Sequence, residues 1–406
     1  METENYSRNA LLSEIKALDL ADEKGSFILK ILADLGARVI KIEKPGGDPS
    51  RNIGPFWKNS PHPEESLSFK YNNMNKLGIT LNILHDKGKE IFLSLIKRND
   101  IVVETFPSGY LEKIGLGYNT LKQTNHKLIL VSVSGFGQDG PKKDYKSCDL
   151  TASAFGGQMY ISGSPSAPPL KSFDSQSYYT ASLFAATGIL LAIRKRSKTG
   201  EGEHIDISLQ EAVASTLEHV MPNFFYDNRV AKREGNLQAN NSFCIMPCKD
   251  GFIHLTLFQQ WETLIEWIDN EDMAEDLKDE KYKDEEYRLK NRNHIIEIIS
   301  RWTQNHTVKE LFELGQLMQF PWAPVHSPKD LLDNPQLKER NFFIDIFHPE
   351  IKRSLRYPGM PYKFSFNYIQ PKKSAPAVGQ DNKKIYQDEL RISAKELNDL
   401  ALLNII

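Results

Sequence analysis

Cysteine is scarce in this chain: Cys148, Cys244 and Cys248 are three in 406 residues. That is too few for a disulfide framework, and it fits a reducing compartment. Cys244 and Cys248 stand four apart, but no second cysteine pair or nearby histidine completes a zinc set, so no metal is expected. Net charge is equally scarce. Lysine and arginine total 51 against 53 Asp and Glu, leaving −2, which removes any whole-molecule argument for nucleic-acid or membrane binding. Long apolar runs are missing as well. The longest, Ala181 to Ile193, is interrupted by Ser182 and Thr187 and is too short to span a bilayer. The N-terminal METENYSRNALLSEIK has none of the apolar run a signal peptide needs. A cytoplasmic protein is expected.

What is present is an ordinary globular composition, 40% hydrophobic and 26% charged, long enough for two or three domains. FILKILADLGA (Phe27 to Ala37) is apolar at helical spacing and runs into the strand-like RVIKIE (Arg38 to Glu43). A helix over Lys87 to Arg98, a strand over Asp100 to Thr105, a short helix around Tyr110 to Ile114 and a strand over Leu128 to Gly135 follow. Continuous apolar strands separated by helices predict a doubly wound α/β domain with a parallel sheet covered on both faces. A helix carrying Glu211 to His219 comes next. The pattern then changes to a hairpin over Phe243 to Leu257, turning at Lys249-Asp250-Gly251. The acidic run Glu271 to Glu286 reads as a solvated helix face. The expected organisation is a large Rossmann-like domain over 1–225, completed by about 335–406, with a smaller α+β domain over 240–325.

Strand ends followed by polar turns are where an open α/β sheet binds ligands. The turn EKPGGDPSR (Glu43 to Arg51) combines glycines with Lys44 and Arg51, which suits a phosphate-bearing ligand or a plain solvated turn. It is neither a Walker loop nor a Gly-x-Gly-x-x-Gly fingerprint. Lys76 and Lys113 add positive charge. No Gly-x-Ser-x-Gly elbow is present. Asp174, just ahead of the apolar helix in FDSQSYYTASLFAATG, has the look of an ordinary N-cap, worth about 1 kcal/mol.

Several long segments nevertheless look like one family. ILADLGARVIKIEKPGGDPSR, VVETFPSGYLEKIGLGY, VSVSGFGQDGP, KTGEGEHIDISLQEAV and DNPQLKERNFF with RYPGMPYKFS resemble class III CoA-transferases, the CaiB/BaiF family, in the family's order and over nearly the whole chain. The resemblance implies a Rossmann-like large domain, a small domain and an interlocked dimer. The ligand it implies is a CoA thioester as substrate, with no tightly bound cofactor. By motif, Lys44 is similar to the basic residue at the CoA nucleotide, and Lys76 to the lysine of an Asn-Lys pair. Thr105 and Phe106 resemble the Asn-Phe whose backbone lines the CoA channel, and Lys113 the arginine near the phosphates. The implied nucleophile is an aspartate that forms an acyl anhydride and then an aspartyl-CoA thioester. Backbone N–H groups near Gly156-Gly157 are candidates for the oxyanion.

Two departures keep alternatives open. The family aspartate lies about ten residues before the glycine that is Gly188 here. That count lands on Tyr178, while Asp174 is fourteen back, one helical turn away. ADEKGSF (Ala21 to Phe27) replaces a small apolar turn facing the acyl group, and Glu23 and Lys24 put charge there. Three functions follow: a CoA-transferase using Asp174, a non-catalytic CoA-binding subunit pairing with a paralogue, or an acyl-CoA racemase or isomerase. The last suffers because Cys148 stands where its histidine base is expected. The partners expected are an acyl-CoA and a carboxylic acid, with a homodimer or a paralogue heteromer.

Overall fold

The computed structural model describes residues 10–238, 243–365 and 373–406. Six strands form one parallel sheet: β1 (Lys16–Leu20), β2 (Arg38–Glu43), β3 (Leu77–Thr80), β4 (Ile101–Glu104), β5 (Ile129–Ser134) and β6 (His204–Ser208). Their order is β3-β2-β1-β4-β5-β6, every neighbouring pair being parallel. The order reverses between β1 and β4, where such sheets open a crevice at their carboxyl ends.

The four inner strands are buried almost throughout because both faces are covered, while the edge strand β6 stays partly exposed. On one face, Ile28, Leu29 and Leu32 of helix α1 (Ser26–Asp34) pack with Val131, Val133 and Ile189. On the other, Ile91, Phe92 and Leu95 of α2 (Asp86–Ile96) pack with Ile40, Ile79 and Leu130. Each such side chain contributes roughly 1.5–3 kcal/mol. The long helix α3 (Gln176–Thr199) buries Ala181, Ala185 and Ala192 and stops at Gly200, whose φ of 75° suits a residue without Cβ.

The chain separates into two compact units, one of residues 1–159, 171–229 and 338–406, the other of 160–170 and 230–337. The C-terminal stretch closes the exposed edge of β3. Gly78 and Thr80 donate their N–H groups to Asp381 (2.8 Å) and Asn382 (2.9 Å), and the Tyr386 hydroxyl donates to Thr80 O (2.6 Å). Side chains thus satisfy an edge that would otherwise be open to another strand. The second unit holds the antiparallel hairpin of β7 (Phe243–Pro247) and β8 (Phe252–Thr256), turning where expected, with Cys248 N–H donating to Gly251 O. Its core includes Trp302 and Trp322.

Two expectations need correction. The helix expected over Glu211 to His219 stops at Ala214, where Ser215 and Thr216 turn their hydroxyls back onto Glu211 O and Val213 O. The acidic run Glu271 to Glu286 is not one helix face. It breaks into 3₁₀ turns at Glu275–Lys278 and Glu280–Lys283, pinned where Asp276 accepts from Tyr282 and pairs with His294. Part of the boundary expected between 225 and 240, residues 239–240, lies outside the described residues.

Candidate active site

A cleft of about 280 Å³ opens at the carboxyl ends of β1, β2, β3 and β4, at the switch point. Leu20, Ile42, Leu81 and Ile83 give it apolar walls, and Thr105, Phe106 and Lys44 complete the lining. Lys44 is exposed and is the cation among the lining residues. The acids there are already engaged. Asp22 is paired with Lys24, Glu43 with Arg51 (2.7 Å), and Asp48 lies 3.5 Å from Lys41. Thr105 fixes the loop after β1: its hydroxyl accepts from Asp22 N–H (2.9 Å) and donates to Asp22 Oδ1 (2.7 Å). Gly25 lets that loop sit so close, since a Cβ there would come within 2.8 Å of Thr105 Cγ2. Phe106 tilts against Tyr110, ring centroids 4.8 Å apart. Three of the residues singled out from the sequence, Lys44, Thr105 and Phe106, therefore meet in one place.

Three others do not. Arg51 is 1% exposed. Its guanidinium grips Glu43 through two 2.7 Å bonds, reaches Glu64 (2.9 Å) and Pro376 O (2.8 Å), and stacks on Phe69. Its guanidinium is engaged by the fold, and it is not among the residues lining the cleft. Lys76 is buried too, spending its three protons on Asp19 (2.7 Å), Ser26 O (2.7 Å) and Asn73 (2.9 Å). Burial pulls its pKa down to about 8, against the pull of Asp19. Lys113 is exposed on the short helix Tyr110–Lys113 and is not among the residues lining the cleft. A basic residue belongs to a phosphate site only if its charge is left unspent, and sequence alone cannot say that.

A smaller cavity of about 120 Å³ is lined by Glu23, Phe27, Asn72, Asp174, Tyr178 and Ser182, among others. Consecutive residues link it to the cleft, Asp22 lining one and Glu23 the other. Asp174 is exposed at a left-handed φ of 57°. The N-cap reading of Asp174 is overturned: Ser175 is the cap position of α3, and no side chain of its own caps it. The helix end is held instead by Asp149, whose Oδ1 accepts from Ser177 N–H (3.0 Å) and Ser177 Oγ (2.7 Å). Lys171 bridges the two acids, pairing with Asp149 Oδ2 (2.7 Å) and donating to Asp174 O. The Asp174 carboxylate takes no part in these contacts. Tyr178 is 8% exposed, and its hydroxyl accepts from Asp149 N–H (2.9 Å). Burial, then Glu23, raises the Tyr178 pKa, so it stays a neutral phenol.

The Gly156-Gly157 N–H groups are not free for an oxyanion. They donate to Ala152 O (2.8 Å) and Ala154 O (3.2 Å) at the end of the helix Asp149–Phe155. One residue passed unnoticed in the sequence, Glu104 at the end of β4. It is 4% exposed and accepts from Phe106 N–H (2.6 Å). Burial pushes it up to about 7, against hydrogen bonds from Ser132 and Phe106. Ser132 also meets His204 Nε2 at 2.9 Å. The signal was there: a lone acid ending the apolar IVVE.

Among the described residues no cluster of three or more metal-ligating side chains occurs, and no helix is long and apolar enough to cross a membrane. Burial raises both Cys244 and Cys248 to about 11.

This geometry has relatives. The profile of CoA-transferase family III matches residues 12–382. Subunit BbsE of the succinyl-CoA:(R)-benzylsuccinate CoA-transferase of Thauera aromatica is 33% identical, with 92% of this chain and 93% of that protein aligned. The succinyl-CoA:mesaconate CoA-transferase of Haloarcula hispanica is 31% identical over 93% of this chain and 96% of its own length. A crystal structure of a CAIB/BAIF family protein from Brucella suis superposes with a TM-score of 0.81 at 27% identity, covering 92% of this chain and 98% of that one. A strand-end cleft on a sheet of this order, matched along nearly the full length, places the chain in CoA-transferase family III, as a CoA-transferase.

Proposed function

We propose that this chain moves CoA from an acyl-CoA donor to a carboxylic acid, with CoA in the strand-end cleft and Asp174 as the attacking carboxylate. The observation that carries the reading is the division of labour between two aspartates: Asp149 holds the end of α3, leaving the Asp174 carboxylate in the cavity beside the cleft. The apolar walls and Lys44 suit a nucleotide thioester, lysine meeting phosphate as a point charge.

The steps balance without an outside base, because a carboxylate nucleophile, unlike a hydroxyl, needs no proton removed as it attacks. Asp174 attacks the thioester carbon, the C–S bond breaks, and an acyl-aspartyl anhydride and CoA thiolate result. The thiolate attacks the aspartyl carbon and expels the donor carboxylate, leaving an aspartyl-CoA thioester. The acceptor carboxylate displaces the thiolate to form a second anhydride. Thiolate attack on the acceptor carbonyl then releases the new acyl-CoA and restores Asp174. Water must be kept out while the anhydride exists.

The chain acts as a dimer in this reading. Leu183, Phe184, Leu190 and Leu191 on α3 are exposed, as are Phe224, Phe225 and Tyr226 on the helix Val220–Asp227, large apolar side chains that a second subunit would cover. The relative from Thauera aromatica is named as a subunit, which favours a second reading in which this chain works beside a paralogue. The test is chromatography of products from the purified chain with acetyl-CoA or succinyl-CoA and a panel of carboxylic acids. New acyl-CoA is expected from the chain alone. Product only after a paralogue is added selects the second reading, and CoA binding with no product in either case overturns the first.

A further inference from the structure

The loop from Ala21 to Ser26 is shared by the two spaces, Asp22 lining the cleft and Glu23 the cavity. Buried side chains from elsewhere in the sheet hold its backbone at both ends. At its start, Ala21 N–H donates to Asp19 Oδ1 (3.0 Å) and Ala21 O accepts from Lys41 Nζ. In the middle, the Thr105 hydroxyl meets Asp22 twice. At its end, Ser26 O accepts from Lys76 Nζ (2.7 Å), and Ser26 Oγ donates back to Asp22 O (2.6 Å). One carboxylate ties the two lysines together: Asp19 pairs with Lys76 (2.7 Å) and stands 4.0 Å from Lys41. The side chains of Asp19, Lys41 and Lys76 are 0% exposed, and none of the three lines the cleft or the cavity. A buried ion pair adds little stability over apolar residues of the same size, so stability alone does not account for three charges placed under one loop.

Resting on the transferase reading above, we infer that Lys76 is a positioning residue for acyl transfer: with Asp19 and Lys41 it holds the Ala21–Ser26 loop so that a thioester whose CoA lies in the cleft meets the Asp174 carboxylate in the cavity. An ammonium suits the task because it is a compact head with three donors, and Lys76 spends all three, on Asp19, Ser26 O and Asn73 Oδ1 (2.9 Å). None of these partners lines the cleft, so the walls and Lys44 that would bind CoA do not depend on Lys76 directly. The reaction depends on it more steeply, because a misplacement of about 1 Å can cost on the order of 10²-fold in rate. A loosened loop also admits water to the acyl-aspartyl anhydride. Water attack there returns the donor acid and free Asp174, with CoA leaving as the thiol, so the donor is hydrolysed and no new thioester forms.

The test makes two measurements on the full chain: calorimetric affinity for CoA, and chromatography of turnover with acetyl-CoA or succinyl-CoA, whichever donor the chain uses, scoring new acyl-CoA against donor hydrolysis. For Lys76→Met, kcat for transfer is expected to fall about 10²-fold while the Kd for CoA stays within about threefold, and the ratio of hydrolysis to transfer should rise several-fold. A purely structural role would only lower the amount of folded protein, which scales hydrolysis and transfer together and leaves their ratio and the Kd where they were. Ser26→Ala removes one small buried hydroxyl, keeps every charge in place, and should raise the same ratio by a smaller factor, so it decides the matter if Lys76→Met does not fold. Wild-type turnover, an unchanged ratio, or a loss of CoA affinity as large as the loss of turnover overturns the inference and leaves the transferase reading standing. No transfer by the wild type, alone or beside a paralogue, is the failure of that reading itself and takes the inference with it.

Discussion

The cleft and the cavity lie side by side on one loop, yet they are built on opposite principles. In the cleft each acid has a partner, Asp22 with Lys24, Glu43 with Arg51 and Asp48 with Lys41, so Lys44 is the charge left for a ligand. In the cavity the carboxylates of Glu23 and Asp174 meet no lining cation, so negative charge is what remains. Ligand chemistry here is set by which charges the fold has not already neutralised. That accounts for a phosphate-bearing group in one place and an attacking carboxylate in the other.

The largest effect should come from the cavity. Asp174→Ala is expected to cost on the order of 10³-fold or more in turnover, as loss of a covalent nucleophile does. Tyr178→Phe, which removes only the acceptor for Asp149 N–H, should cost less than about tenfold. A reversal of that order in steady-state assays would move the chemistry to Tyr178's place.

Next is the buried pairing that frees the cleft. Arg51→Met strands Glu43 in the interior, and about 3–5 kcal/mol of stability should be lost, measured by urea unfolding. A variant of unchanged stability but weaker CoA binding would return Arg51 to the ligand.

Glu104 gives a pH signature. Its carboxyl binds a proton more tightly in the fold, at about 7, than in the open chain, near 4.5. The stability tied to it is fully present below about pH 4.5 and is lost as pH rises through about 7, by roughly 3 kcal/mol at most. Urea midpoints of the wild type should fall across that window, and those of Glu104→Gln should fall less.

The smallest effect is at the cleft mouth. Lys44→Ala should weaken CoA severalfold, within the ~0.2–1 kcal/mol typical of an exposed ion pair, and Lys113→Ala by less. Equal losses would mean that the phosphates extend beyond the cleft.

Much of this architecture was legible in the sequence because it depends on local pattern. β2 occupies the residues that RVIKIE marked, and the hairpin turns at the Lys249-Asp250-Gly251 signal. Of the candidate binding residues that motif singled out, Lys44, Thr105 and Phe106 line the cleft. What stayed hidden is long-range pairing. Lys76 looks like any basic residue until Asp19, 57 positions away, is seen to hold it. Asp174 looks like a cap until Asp149, from another helix, takes that duty. Neither partner is near in sequence, and no periodicity announces them.

The account's central claim is that the Asp174 carboxylate becomes covalently attached to CoA. Intact-mass spectrometry of the chain mixed with an acyl-CoA and no acceptor acid, followed by peptide mapping, measures this directly. The account predicts an adduct of one CoA less one water, located on Asp174 and lost on adding hydroxylamine. A chain that binds acyl-CoA but gains no such mass, or gains it on another residue, contradicts it.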